Sequence, residues 1–332
     1  MQTDLWSRTL LLRGRAQRID PRLAQILFLG MLLAAGAYLR DFAIHPLQIA
    51  LTFACGLACQ RFCEALTGRP GRSLRSALIT SFSVTLLLRA ATWWIHPLAV
   101  SAAIASKFVV RWRGKHLFNP ANFGVLAALM LLPGTWISAG QWGADVAFAG
   151  WMVGMGSIVT RQARRADISW TFLAFYVGAL ALRVMWLGQR WAVLLHQLSS
   201  GALLLFAFFM ISDPMTIPNA RRGRAAHAAL VCAIAFIWQF CFYRTNGLLW
   251  ALLIAAPAVV LWDAIWPAPK FEWNSKGESD ETTLVPLPFN GGADRPGWAD
   301  GGAVGARLLR LLRRQKRYLP VQPRLAGRDG TA

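Results

Sequence analysis

Carboxylates are scarce in this chain and poorly placed for chemistry inside a membrane. Fifteen Asp and Glu stand against 35 Lys and Arg. None falls at the centre of an apolar run; Glu64, Asp145, Asp213 and Asp263 all lie near run ends. That argues against a proton relay built on midplane acids. Cysteine is also sparse, with five residues. Cys55, Cys59 and Cys63 recur every fourth residue and so share one helix face. No His or acid joins them at ligand spacing, so they read as small packing residues rather than a metal centre. A disulfide framework is not indicated. Walker, zincin and nucleophile-elbow motifs are missing too.

What the chain has in abundance is apolar surface. Hydrophobic residues make up 56% of it, mean hydropathy is +0.41, and there are 16 Trp, a residue that favours membrane interfaces. The net charge of +20 comes as short arginine clusters between apolar runs. Such clusters set membrane topology, and nucleic acid is not expected as a partner. His96, His196 and His227 lie near run ends and read as interface residues.

Ten apolar runs are expected to span the bilayer, at about 23–38, 43–66, 74–90, 92–112, 118–134, 145–162, 167–187, 191–212, 224–243 and 246–266. Each is near the ~20 residues that cross a bilayer. Those at 74–90 and 118–134 are short and polar at one end, as tilted or broken helices would be. Basic residues fall unequally in the alternate loops, eighteen against five. That bias puts both termini in the cytoplasm. Ala35-Gly36-Ala37 resembles a signal-peptidase site, but span parity needs this first helix retained.

The two halves are weakly alike, in order. Arg75-Ser76-Ala77-Leu78 is echoed by Ser200-Gly201-Ala202-Leu203, and the stretch before the fifth run by Arg244-Thr245-Asn246-Gly247 before the tenth. Five spans per repeat make the second repeat inverted, which places a site where broken helices meet. The expected organisation is a basic segment at 1–21, a first five-helix repeat at 22–134 and a second at 145–267. A Pro, Gly and acid-rich linker at 268–302 is expected to be disordered. A basic amphipathic tail at 303–332 would lie on the anionic inner leaflet or dock a partner.

Three stretches could carry chemistry. The first is Phe208-Phe209-Met210-Ile211-Ser212-Asp213-Pro214-Met215-Thr216, followed by Arg221, Arg222 and Arg224. Pro214 lacks an N–H and pushes Asp213 out of helical geometry, so a helix stops here. Ser212, Asp213 and Thr216 are left beside freed backbone groups. Asp213 could accept from a ligand, cap the next segment or pair with an arginine.

The second stretch is Lys115-His116-Leu117-Phe118-Asn119-Pro120-Ala121-Asn122-Phe123-Gly124. Asn119 is placed as an N-cap and Pro120 at the first helical turn. A seat for a phosphate and a well-capped helix at a basic edge both remain open. The third is the hydroxyl set Ser76, Thr80, Ser81, Ser83 and Thr85, as cavity lining or as helix–helix glue. Lys107 is the one clear charge well inside a run; it lies about one turn from Arg111 and could snorkel.

Taken together, Ser76-Ala77-Leu78-Ile79-Thr80, Lys107, Phe118-Asn119-Pro120-Ala121 with Gly124, Leu198-Ser199-Ser200-Gly201-Ala202, Phe209–Thr216, Gly223-Arg224 and Asp263 resemble the NqrB/RnfD family. Its members are the large membrane subunits of sodium-translocating NADH:quinone oxidoreductase and of the Rnf electron-transport complex. The resemblance covers about residues 70–267. It implies an all-α integral membrane fold of ten helices in two inverted repeats, on a scaffold shared with urea transporters. It implies flavin-linked electron transfer, with other redox subunits and the lipid bilayer as partners.

The family attaches FMN covalently to a Thr after the fifth span. Here that region, Pro133–Asp145, has Thr135 and Ser138 but no such motif, and Thr160 falls on the other side. The resemblance therefore points to a shortened, stand-alone relative holding FMN or riboflavin without a covalent bond. Asn119, Asn122 and Asp213 would face the ring or ribityl chain, with Lys115 or Arg224 near phosphate. Two other readings stay open: a channel or transporter for a small solute, and a non-catalytic membrane scaffold.

Overall fold

Helix breaks organise this molecule as much as helices do. The computed structural model describes residues 20–39, 44–68, 74–137, 146–198 and 200–271. They fall in a unit that runs to Ser275; a second unit, Lys276–Ala332, lies outside them. Also outside are residues 1–19, the tail at 303–332, most of the expected linker, and residues 138–145 of the loop where the family would carry a covalent flavin.

Three helices open the chain: α1 (Pro21–Leu39), α2 (Pro46–Leu66) and α3 (Arg75–Leu87). After strand β1 (Leu88–Ala90) come α4 (Ile95–Val109), the hairpin β2 (Arg111–Trp112) and β3 (Lys115–His116), and α5 (Pro120–Leu131). Strand β4 (Thr135–Ile137) leads to α6 (Val146–Gln162) and α7 (Ala166–Trp186). Next are α8 (Trp191–Leu198) and α9 (Gly201–Leu205), the latter running into a π-helical turn at Phe206–Met210. Then follow α10 (Arg221–Phe240), α11 (Gly247–Ala255) and α12 (Ala258–Ile265).

With α8–α9 and α11–α12 each taken as one bent rod, the described residues hold ten helical segments, one in each apolar run. The pairs bend by 55° and 51°. Pro257, whose ring and missing N–H interrupt the ladder, stands at the second bend. Among the described residues, four helices (α1, α2, α7 and α10) are long and apolar enough to cross a membrane alone, and six segments are if each bent pair counts as one. The protein is multi-pass and mostly helical.

The short runs are shorter than their sequence patterns. Helix α3 has 13 residues and α5 has 12. At 1.5 Å per residue each spans roughly 20 Å, well under a ~30 Å hydrocarbon core. Both continue in extended chain instead. Strand β1 pairs antiparallel with β4, Leu88 opposite Ile137 and Ala90 opposite Thr135. This ribbon and the β2–β3 hairpin depart from the all-α expectation. Residues Arg113 and Gly114 both take positive φ in the hairpin turn, as a tight two-residue connection requires.

Local chemistry sets the helix starts. His45 caps α2 in a reciprocal capping box with Gln48, and Asn119 caps α5 ahead of Pro120. Packing in the first half puts α1 on α3, α2 on α4 and α4 on α5. The second half has α6 on α9, α7 on α10 and α10 on α11. The halves are joined where α1 meets α6 and where α5 meets α11. At Gly124 a methyl group would meet the Ala99 carbonyl and the Ala103 side chain, so only glycine lets α5 lie this close to α4.

Candidate functional site

The π-helical turn delivers the chain to Ser212 and Asp213. Ile211 N–H reaches back to Phe206 O at 3.0 Å, one residue further than an α-helix would. Pro214 then ends the helix. The freed groups are reused locally: Asp213 Oδ1 accepts from Met215 N–H at 3.0 Å, and Thr216 N–H donates to Asp213 O at 3.0 Å. Ser212 Oγ donates to Phe208 O.

Asn119 arrives from the other half. Its Oδ1 accepts from Asn122 N–H at 3.1 Å, the N-cap bond of α5. Its amide then donates to Met210 O at 3.3 Å and reaches Asp213 Oδ2 at 3.5 Å. The two broken stretches thus meet side chain to side chain. A cavity of about 90 Å³ opens beside them. Its walls include Ser76, Thr80, Ser83, Asn119, Pro120, Thr160, Ser212 and Asp213. Phe208 and Phe209 supply an apolar wall.

The hydroxyls on this wall are tied back to their own helices. Thr80 donates to Ser76 O at 2.9 Å, and Thr160 to Gly156 O at 2.8 Å. Each keeps lone pairs to offer. Lys107 lies behind the wall, its Nζ donating to Ser76 O at 3.1 Å and to Ser76 Oγ at 3.2 Å. Burial raises the Asp213 carboxyl above the usual carboxylate range, opposed by the Met215 N–H and the positive charges of Lys107 and Lys115.

The remaining expected residues go elsewhere. Lys115 Nζ donates to Ile217 O, to Asn219 Oδ1 at 3.2 Å and to Asp263 Oδ2 at 2.8 Å. Burial lowers its pKa, and the partner Asp263 only partly restores it. Arg224 is held by Asp167, Nε to Oδ2 at 2.8 Å, and also by Asn219 O. These two clamps fix the 213–220 loop without lining the cavity. Asn122 donates to Leu249 O at 3.0 Å and so ties α5 to α11; Gly124 serves the α4–α5 contact. Thr216 is a turn residue.

Sequence reasoning missed Arg22 and Gln25 on the cavity wall, and Asn219 and Asp167 in the clamps. Asp20 holds Arg22 at 2.9 Å and also pairs with Arg75, tying the start of α1 to α3 beside the cavity. Burial would raise the Asp20 carboxyl, but the Arg22 bonds and the Arg75 charge outweigh it and hold the pKa below the usual range.

Residues 137–271 match the model of the NQR2, RnfD, RnfE family. Over that stretch the chain is similar to this family. The D subunit of an ion-translocating oxidoreductase complex from Stutzerimonas stutzeri is 27% identical over 301 residues, covering 69% of this chain and 85% of that protein. The corresponding D subunit from Yersinia pseudotuberculosis serotype O:1b is 31% identical over 114 residues, or 34% of this chain and 32% of that one. Its counterpart from Salmonella paratyphi B is 30% identical over 127 residues, 38% of this chain and 36% of its own. The family-matched stretch carries Ser212, Asp213, Thr216 and Arg224. Asn119 and the other first-half site residues precede it and are drawn in by the fold.

The cavity also tests the flavin expectation. At about 90 Å³ it falls well below the ~300 Å³ at the small end of sites for drug-sized ligands. The cations expected near a phosphate, Lys115 and Arg224, are already engaged by carboxylates and lie outside its walls. The residues as arranged fit a small ion or a few waters; they do not fit an isoalloxazine ring.

Proposed function

We propose that this chain is a membrane component of an NqrB/RnfD-type electron-transport system and that its central cavity handles a small cation linked to that transport. The observation that carries this reading is the meeting of Asn119 and Asp213 at 3.5 Å, which joins the family's two broken-helix motifs around one polar cavity. A half-buried carboxylate beside Ser and Thr oxygens and a carboxamide offers the hard ligands that a small cation takes. The similar packing within the two halves supports an arrangement of two inverted five-helix repeats, with the cavity between them.

The expected partners are other redox subunits in a bacterial inner membrane. The test is radiotracer or dye-based cation uptake in proteoliposomes. Uptake that needs both an electron donor and co-reconstituted redox subunits supports the proposal. Uptake by the chain alone supports a second reading, a small-solute channel, which the size and hydroxyl lining of the cavity favour. An absorption spectrum with mass spectrometry on purified protein tests non-covalent FMN or riboflavin. A stoichiometric flavin would show that the cavity opens beyond this arrangement.

A further inference from the structure

A second pocket, of about 380 Å³, is lined by residues at the end of α6 and the starts of α7 and α10. Arg161 comes from the end of α6, Asp167, Trp170 and Thr171 from the start of α7, and Arg221 and Arg224 from the start of α10. Three arginines face one aspartate. That aspartate is spent on Arg224, with Nε bonds of 2.8 and 3.1 Å. Arg221 stands off at 3.8 Å with its side chain 84% exposed, and Arg161 is exposed with no ion pair among the described residues. The pocket therefore keeps an uncompensated positive charge. The start of α10, a 20-residue helix, forms one wall of it.

What lies next to this charge identifies the ligand. Ile158, one turn before Arg161 on α6, is 46% exposed. Trp170 and Phe175 on α7 are each 45% exposed, and Leu182 continues the Thr171–Phe175 face at 64%. A cationic pocket at the ends of membrane helices thus runs into an apolar stripe, with an interfacial Trp between the two. A free phosphate uses only the first part. A phosphodiester headgroup with acyl chains uses all of it, and basic pockets between membrane helices take such headgroups.

We propose that Arg161, Arg221 and Trp170 form a site for the headgroup of one anionic phospholipid, whose chains lie along α6 and α7. The proposal rests on the multi-pass reading alone and not on the redox or cation function. The full chain, purified and delipidated in detergent, would be titrated with phosphatidylglycerol, phosphatidylcholine of the same chains, or glycerol 1-phosphate. Native mass spectrometry and thermal unfolding provide the readouts. One tightly held phosphatidylglycerol and a raised melting temperature are expected, with little effect of the other two. Arg161→Gln with Arg221→Gln should weaken retention by roughly tenfold or more. Arg190→Gln with Arg244→Gln, at other exposed arginines, should leave it unchanged. If the first double variant folds poorly, Arg161→Gln alone gives a smaller loss in the same direction. Equal retention of phosphatidylcholine, or unchanged binding in the Arg161 variants, overturns the site. Stabilisation by glycerol 1-phosphate matching that of phosphatidylglycerol overturns the lipid assignment in favour of a free phosphate.

Discussion

Helix α3 is the third helical segment of the first half, and the bent α8–α9 rod is the third of the second. Both end in a break, but they dispose of it differently. After α3 the chain runs extended through Leu88–Ala90, where β4 pairs its backbone. Arg89 is 0% exposed and turns back on that break, donating to Thr85 O at 2.9 Å and Leu88 O at 2.8 Å. His96 and Gln48 reach the carbonyls of Leu88 and Ala90. After α9 the chain makes a π-helical turn and an Asx-type turn, and its charged residue, Asp213, faces a cavity. One break is closed by bonding; the other is held open. A buried backbone must be satisfied in either case. Only the second way leaves a polar side chain available to a ligand.

The largest test of this contrast is Arg89→Ala. It removes a fully buried side chain and the bonds to two carbonyls, and should cost about 3–5 kcal/mol. Thermal unfolding in detergent would show a large drop in melting temperature. Asp213→Asn should change that temperature little while abolishing cation uptake in the reconstituted complex. A similar stability loss in both variants would erase the difference between the two breaks.

Next in size is Gly124→Ala, which wedges α5 off α4 and so displaces Asn119 at the head of α5. Overpacking of this kind costs roughly 1–3 kcal/mol. Reduced thermal stability together with reduced uptake would tie the site to that helix contact. Asn119→Ala removes the cap of α5 as well as the bond to Met210 O, at about 1 kcal/mol. Asn119→Ser keeps a cap but is too short to reach the second half, so it should restore stability without restoring uptake.

The smallest effect is on pH dependence. Asp213 has a raised pKa in the folded state, so its charged form opposes folding. Its contribution to stability is most favourable below the ordinary carboxylate pKa of about 3.9 and is lost as pH rises through the raised value. Asp20 has a lowered pKa and runs the other way: its contribution holds above about 3.9 and is lost as pH falls through the lowered value. Melting temperature against pH should therefore flatten on the alkaline side in Asp213→Asn and on the acid side in Asp20→Asn. An unchanged profile in the Asp213 variant would show that its pKa is not raised in the folded state.

Much of this was legible in the sequence because helix breaks and caps are local events. Pro214, at the end of an apolar run, stops a helix through its ring and missing N–H, and Asn119-Pro120 starts one. The apolar runs placed all ten helical segments for the same reason. The candidate site was only partly legible. Ser76, Thr80, Asn119, Pro120, Ser212 and Asp213 do share one cavity. Lys115 and Arg224 had the right charge and neighbourhood but were taken by Asp263 and Asp167, 148 and 57 residues away.

The sequence by itself determined roughly where the helical segments lie, that Pro214 stops one of them, and that the chain is a membrane protein, because those follow from hydrophobic length and from a missing N–H. Tertiary structure decided which break closes and which stays open. It did so through partners far apart in the chain: β4 for the first break, and Asn119 for the second. Pairing of that kind depends on how helices pack, and no local pattern encodes it.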